Sequence, residues 1–310
     1  MKKFVITLFS LIAISATAAI NPNTRPKSSG TYYSEQYRIL DNRNYYTTND
    51  TFLSNGLVVS LNDNQPITGS LVEYGYNNGV QSIKNYKNGV LDGKVYYLNG
   101  DGGVSTVSEY KNGQKNGEEI NFSFSTGYSS IISSYKNGVL DGPRYEFDDK
   151  GSLISASEYS NGVKEGNEIK FSEGRKIQED IYKNGRKNGK SVSYYTDGSV
   201  KSEGIYRDNL RDKEWSWYFS AAEGKNVKRL TEVYDYGKLK QIRGQYPDGS
   251  KERKADLVNG NGDFEQYYNN GAIKLKGKIK NYAADGTWIV YDLRGVPVAR
   301  NSFNVGGFQY

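Results

Sequence analysis

Residues 182–206 read YKNGRKNGKSVSYYTDGSVKSEGIY, and this stretch decides the fold. Asn184-Gly185 and Asp197-Gly198 favour tight turns, because glycine and asparagine accept the positive φ that such turns require. Large apolar and polar side chains alternate after each turn, which predicts strands at 190–195 and 200–206. The stretch therefore predicts one β-hairpin unit with two strands and two turns.

The same phrase recurs along the chain at intervals of 23 to 25 residues between its clear copies. Each clear copy has a leading tyrosine and two glycines, three and seven residues later: Tyr86, Gly89 and Gly93; Tyr110, Gly113 and Gly117; Tyr135, Gly138 and Gly142; Tyr159, Gly162 and Gly166; Tyr182, Gly185 and Gly189. Weaker copies extend the series, so that ten units begin at residues 62, 86, 110, 135, 159, 182, 206, 234, 255 and 279. Degenerate end copies are typical of repeat arrays, where they serve as caps.

The repeats predict an all-β fold, a repeat array of antiparallel β-hairpins forming one long twisted meander sheet with almost no helix. Strand alternation places the residues ten and twelve positions after each leading tyrosine on one face, as with Tyr96 and Leu98. The intervening residues, such as Glu119 and Asn121, make the other face polar. We expect the tyrosines to pack between neighbouring hairpins, so that nearest-neighbour stacking stabilises the array.

The chain divides into three predicted parts. Lys2 and Lys3, an apolar run over 4–14 and the small residues of 15–19 have the order of a secretory signal peptide, assigned to 1–18. The polar stretch 19–44 is expected to be a lead-in or tether, and 45–310 the hairpin array. Export would place the mature chain in the periplasm, on the cell surface or outside the cell. The apolar run is shorter than the ~20 residues that span a bilayer, so we expect no integral membrane protein.

The chain contains neither histidine nor cysteine. This excludes histidine-based catalytic triads, thiol nucleophiles, disulfides, and imidazole or thiolate metal sites. Neighbouring carboxylates such as Glu118 and Glu119 are expected to be solvated surface rather than a glycosidase pair. The sequence therefore predicts no enzyme, no cofactor and no metal site. The net charge of +6 is mild and evenly spread, so it indicates no nucleic-acid partner.

The phrase Tyr-x-Asn-Gly-x-x-x-Gly, followed by a large apolar residue and an Asp-Gly turn, resembles the variant MORN repeat, the bacterial kind also labelled antitoxin-like. The resemblance covers roughly residues 45–300. The family's frequent tryptophan, two residues after the second glycine, is present in two copies as Trp215 and Trp288. The resemblance implies a β-hairpin array that serves as a scaffold or binding surface. An antitoxin meets its toxin in the cytoplasm, so the predicted export argues against that function here.

The candidate partner-binding residues are aromatic side chains on the nominally polar face: Trp215, Trp217, Trp288, Phe264 and Tyr97. The first two are separated by one residue and therefore point the same way in a strand. Exposed aromatic clusters mark contact sites, because monomers avoid large apolar patches. A ribbon that curls would instead bury these rings, and the sequence leaves both arrangements open.

Together these features predict a secreted, non-enzymatic repeat scaffold that binds a protein at the bacterial cell envelope or surface. The binding would use the aromatic residues or the edge strands at the ends of the ribbon. The alternative is a carbohydrate-binding module that stacks sugars on exposed aromatic rings. The sequence does not decide the oligomeric state.

Overall fold

The computed structural model describes residues 20–42, 44–76, 78–221, 227–245, 252–256, 260–268 and 270–303. The predicted signal peptide at 1–18 lies outside these residues. One α-helix, α1 (Gly30–Asp41), and one 3-10 turn (Thr48–Asp50) are present in this part of the chain. The remaining elements are strands, so the all-β prediction is confirmed.

The strands of the described ranges fall into a short N-terminal group and a long series. The first group is β1 (Tyr46–Thr47), β2 (Thr51–Ser54) and β3 (Leu57–Ser60). The series is β4 (Gly69–Tyr74), β5 (Val80–Lys87), β6 (Val90–Leu98), β7 (Val104–Lys111), β8 (Gln114–Phe122), β9 (Ser129–Lys136), β10 (Val139–Phe147), β11 (Leu153–Ser160), β12 (Val163–Ser172), β13 (Arg175–Lys183), β14 (Arg186–Tyr194), β15 (Val200–Arg207), β16 (Leu210–Tyr218), β17 (Lys228–Asp235), β18 (Lys238–Gln245), β19 (Glu252–Asp256), β20 (Gly262–Tyr267), β21 (Ile273–Lys280), β22 (Ala283–Tyr291) and β23 (Pro297–Phe303).

Consecutive strands of the series pair as antiparallel hairpins, as the repeats predict. Strands β4 to β19 form one long meander, to whose first edge β1 adds in parallel. Strands β20 to β23 form a second, four-stranded sheet. The long antiparallel meander that the sequence predicts is therefore confirmed, and β20 to β23 continue the series of hairpins in a separate sheet.

The Asn-Gly dipeptides form the tight turns that the sequence predicts. In the turn between β9 and β10, Asn137 has φ 50° and Gly138 has φ 83°. Positive φ at both central residues defines the type I′ turn, whose twist matches that of the flanking strands. Asn281 and Tyr282 adopt the same conformation with φ 50° and 67°. The turn therefore persists where a later copy has lost its glycine.

The second glycine of each copy lies inside a strand and not in a turn. Gly117, with φ 125°, pairs in register with Tyr135, the leading tyrosine of the next copy. The register of the preceding hairpin shifts beside this glycine, which is a β-bulge. Because Gly189 likewise lies inside a strand, β14 begins at Arg186, four residues before the strand start predicted at 190.

The pairing between strands shows which face each leading tyrosine occupies. Tyr110 pairs with Gly93 while Ser108 pairs with Val95, so Tyr110 shares a face with the residues predicted to be polar. We call this side the tyrosine face, and it carries Tyr86, Tyr110, Tyr135, Tyr159, Tyr182 and Tyr206. The opposite side, the core face, carries Ile83, Tyr96, Val107, Ile120, Ile132 and Tyr145, all buried.

The lead-in covers the core face of the first half of the array. The Tyr32 ring of α1 packs on Phe122 with centroids 5.7 Å apart. The Tyr96 hydroxyl donates to Glu35 at 2.6 Å, and the Lys27 amide donates to the Ser129 hydroxyl at 2.9 Å. Residues 20–42 are therefore a packed cover on the sheet and not a free tether.

The two ends of the array differ. At the first end, the β2–β3 hairpin packs on the Asn88-Gly89 turn, where the Val58 amide donates to the Gly89 carbonyl at 2.9 Å. At the last end, β23 pairs with β22 and with no other strand of the described ranges. Within the described ranges, one end is thus covered by a hairpin, whereas the other end is a strand with a single partner.

A valine substitution at Gly138 tests the turn geometry. A Cβ at this position would lie 4.0 Å from its nearest neighbour, Gln114 Cβ, so the substitution meets backbone strain and no clash. We expect Gly138→Val to lower the free energy of unfolding by about 1–2 kcal/mol, because L-residues are strained at positive φ. Gly138→Asn should lose less, because asparagine visits this region more readily. Urea denaturation measures both, and equal losses would contradict the interpretation.

Candidate binding surface

Three of the five sequence-predicted aromatics are buried. Trp215 is 3% exposed, Trp288 4% and Phe264 5%. Trp217 is half-buried, whereas Tyr97 is 40% exposed and lies far along the array in β6. Of the two arrangements that the sequence leaves open, the buried one is therefore observed for these three rings.

Four of these rings meet at the seam between the two sheets. Phe264 and Trp288 stack with centroids 5.1 Å apart and form a core with Leu230 and Ile242 of the long sheet. Trp217 packs against this core, and Trp215 lies 6.0 Å from Trp217. The aromatic residues thus join the two sheets.

Each buried tryptophan lies across a glycine on the neighbouring strand. A Cβ at Gly204 would lie 2.2 Å from Cδ2 of Trp215, and a Cβ at Gly277 would lie equally close to Trp288. Both glycines stand two residues before the head of their copy, where the regular copies carry Ser108, Ser133, Ser157 and Asp180. The joint occurrence of tryptophan and this glycine is a sequence signal for burial, since the missing side chain makes room for the indole.

Cations lie between the tyrosines of the tyrosine face. Lys164 Nζ lies 5.8 Å from the Tyr159 centroid and 5.0 Å from the Tyr182 centroid, and it donates to Glu168 at 2.7 Å. Similar groups of cation, carboxylate and ring are Lys115, Glu119 and Tyr135; Lys187, Asp180 and Tyr206; Arg211, Glu232 and Tyr234. This recurring network depends on pairing across each Asn-Gly turn, such as that of Tyr110 with Lys115, which the alternation within a single strand does not reveal.

The carboxylates of this network are largely buried. Glu119, expected to be solvated, has 15% of its side chain exposed, whereas the neighbouring Glu118 is 43% exposed. Burial raises the pKa of Glu232 above its usual range, although Tyr234 and Arg211 lower it. Burial and then Glu232 raise the pKa of Tyr234. These groups stabilise one another inside the fold and do not form an exposed acid–base pair.

An open cleft of about 730 Å³ lies beside the seam, and we call it the aromatic cleft. Its walls come from β15–β18 on one side and from β21–β22 and their turn on the other. They include the rings of Tyr206, Tyr234, Tyr282 and Trp288, the side chains of Leu210, Leu239 and Ile279, and Arg211 and Asn209. The volume falls within the range of small-molecule sites, roughly 300–1,000 Å³.

Arg211 is the charged residue that lines this cleft. Its guanidinium carbon lies 4.8 Å from the Trp215 ring and 5.1 Å from the Trp217 ring. It donates to the Tyr234 hydroxyl at 3.1 Å and lies 3.7 Å from Glu232. Packing on two indole rings fixes the planar guanidinium in the wall, which suits recognition of carboxylates or hydroxyls.

Tyr282 forms the opposite wall from the turn between β21 and β22. Its amide donates to the Gly260 carbonyl at 2.9 Å, and its ring lies where a Cβ at Gly260 would be, only 2.7 Å or less away. Lys240 donates to its hydroxyl at 3.1 Å. Glycine at 260 is therefore what lets this ring fold over the cleft.

Neither a metal centre nor a membrane span is evident in the described part of the chain. No group of three or more acidic side chains there lies close enough together to hold a metal ion. No helix of the described ranges has the length and apolar character that crossing a membrane requires.

No family model matches this chain, and no curated protein matches it. Among solved structures 44 chains match. One is the Tc holotoxin pore of Photorhabdus luminescens, with 12% identity over 78% of this chain and 12% of that chain, and a TM-score of 0.16. A TM-score this low supports no argument about fold or function.

A double-mutant cycle tests the pairing of tryptophan with glycine. We expect Gly204→Ser to cost about 1–3 kcal/mol of unfolding free energy, because the added side chain overpacks against Trp215. In a Trp215→Ser background, itself destabilised by about 3–5 kcal/mol through lost packing, the same change should cost almost nothing. Chemical denaturation of the four proteins measures the coupling. The same cost in both backgrounds would show that the two residues are independent.

Alkaline unfolding tests the buried phenols. Burial, with the hydrogen bond to Glu203, raises the pKa of Tyr218 from its ordinary 10.0 to about 12. The stabilisation is complete below pH 10 and is lost as the pH rises towards 12, since the phenol ionises first in the unfolded chain. Tyr218→Phe should therefore flatten the fall of unfolding free energy over this window. Urea titrations at successive pH values measure it, and identical slopes in both proteins would contradict the assignment.

Proposed function

We propose that this chain is a non-enzymatic repeat scaffold, similar to the variant MORN proteins, that is exported and binds a protein at the bacterial cell envelope or surface. The observation that carries the proposal is the difference between the two ends of the array. Among the described residues, one end carries β1 and the β2–β3 hairpin, and the other is β23, which pairs with β22 alone.

An edge strand binds a partner by adding one of its extended segments to the sheet. Such pairing uses main-chain hydrogen bonds for affinity and alternate side chains for specificity. The residues of β23 from Pro297 to Ser302 are exposed, and Val298 is 60% exposed. Proteins usually protect a long exposed edge strand, so an accessible one is suited to a partner.

Strand β23 is separated in strand order from the strands that the lead-in covers. The lead-in packs on β6–β12, whereas β23 is the last strand of the second sheet. The partner would therefore approach without displacing α1. This arrangement fits a scaffold in which the regular copies extend the array and the last copy binds the partner.

A lysine at the β23 edge tests the proposal. We expect Val298→Lys to weaken capture of a partner from envelope extracts by at least about fivefold, because edge lysines oppose strand addition. Val163→Lys is the matched control, since Val163 is 45% exposed and lies in β12, at the middle of the array. Capture by immobilised protein, with quantitative mass spectrometry, measures both variants. Equal losses in the two variants, or none, would count against binding at this edge.

Carbohydrate binding is a second candidate, and the aromatic cleft is what favours it. Sugar rings stack on aromatic faces, and their hydroxyls bond to planar polar groups such as guanidinium and amide. The buried tryptophans do not provide such faces, but Tyr206 and Tyr282 line an open cleft together with Arg211 and Asn209. The stacking residues are thus tyrosines at the seam.

A further inference from the structure

Lysines lie close to two of the tyrosine rings that line the aromatic cleft. Lys187 Nζ lies 5.2 Å from the Tyr206 centroid. On the opposite wall, Lys240 and Lys238 lie 5.1 and 6.0 Å from the Tyr282 centroid. With Arg211 in the wall, positive charge therefore meets the cleft from both sides.

The carboxylates that pair with two of these cations lie underneath them. The side chain of Lys187 is 29% exposed, and that of its partner Asp180 is fully buried. The side chain of Arg211 is also 29% exposed, whereas that of Glu232 is 5% exposed. An entering ligand therefore meets the cations first. At the rim, Lys240 lies 3.8 Å from Asp235, which is exposed and offsets part of its charge.

Main-chain amides of the turns at the cleft are already hydrogen-bonded within the protein. The amides of Asn209, Gly237 and Tyr282, one from each turn at the cleft, donate to the carbonyls of Lys187, Arg211 and Gly260 at 2.7–2.9 Å. A peptide that binds by main-chain pairing would need such groups. Recognition falls instead to ring faces, phenol hydroxyls, an amide and a guanidinium, which are the groups that bind sugars.

We propose that the aromatic cleft binds an acidic glycan, whose pyranose rings stack on Tyr206 and Tyr282 and whose carboxylates face Arg211 and Lys240. This inference rests on the second candidate function and adds the charge of the ligand to it. It is independent of the protein-binding edge at β23, which lies on another strand.

Calorimetric titration of the purified full chain tests the proposal with matched ligands. The probes are a galacturonic acid oligomer and its methyl ester, which has the same rings and length but no charge. We expect the acid to bind at least about tenfold more tightly than the ester at low salt, and to lose affinity as salt increases. A poly-glutamate peptide of equal charge should not bind.

Substitutions test whether the acid binds in the aromatic cleft. Tyr282→Ala removes one wall and Lys240→Gln removes one rim cation, and each should weaken binding of the acid about tenfold. Lys176→Gln is the control, because Lys176 lies 5.3 Å from the Tyr194 ring outside the cleft and should bind as the wild type does. Thermal unfolding confirms that each variant is folded.

The outcomes separate this inference from the function on which it rests. Equal binding of acid and ester would leave the carbohydrate candidate standing and overturn the acidic preference. Binding of neither oligomer would overturn both. Binding of poly-glutamate alone, or full binding by the Tyr282→Ala and Lys240→Gln variants, would also refute an acidic-glycan site in this cleft.

Discussion

The structure depends on a hydrogen bond that joins each tight turn to the hairpin before it. The amide of Gly138 donates to the Lys115 carbonyl at 2.8 Å, and the amide of Gly162 donates to the Leu140 carbonyl at 2.7 Å. Both residues of such a turn have positive φ, and asparagine and glycine reach this region at the lowest cost. The turn thus reverses the chain and also fixes the next hairpin beside the last one, which explains why the phrase Asn-Gly recurs with so little change.

The register between neighbouring strands gives the sheet two different faces. Gly117 pairs with Tyr135 and Glu119 with Ser133, so the tyrosine lies on the face of Glu119 and not on that of Ile120. One face is then apolar and packs under the lead-in. The other combines half-buried rings, cations and buried carboxylates, a set that is stable only when every charge has a partner.

The hairpin order was predictable from the sequence because both turn types and the strand alternation are local signals. The face of the tyrosines was not, because it depends on the register across each Asn-Gly turn, as in the pairing of Tyr110 with Lys115, and not on the alternation within one strand. The burial of Trp215 depends on Gly204 on the neighbouring strand. Predicting this burial therefore requires the strand register and not only the repeat. The helix of the lead-in is held by contacts such as Glu35 with Tyr96, which are far apart in sequence and have no local pattern.

The candidate site arises where the repeats become irregular. In the regular copies the tyrosine face is already satisfied, since a lysine such as Lys164 is shared between two rings and a buried carboxylate. At the seam, Trp215 and Gly204 stand where a regular copy carries a polar pair such as Glu119 and Ser108. Strands β21 and β22 add a second wall over the tyrosine face there. A second wall excludes water and strengthens the interaction of the cations with a bound anion. The proposed binding site therefore lies in the copies that break the pattern, while the copies that keep it hold its walls in place.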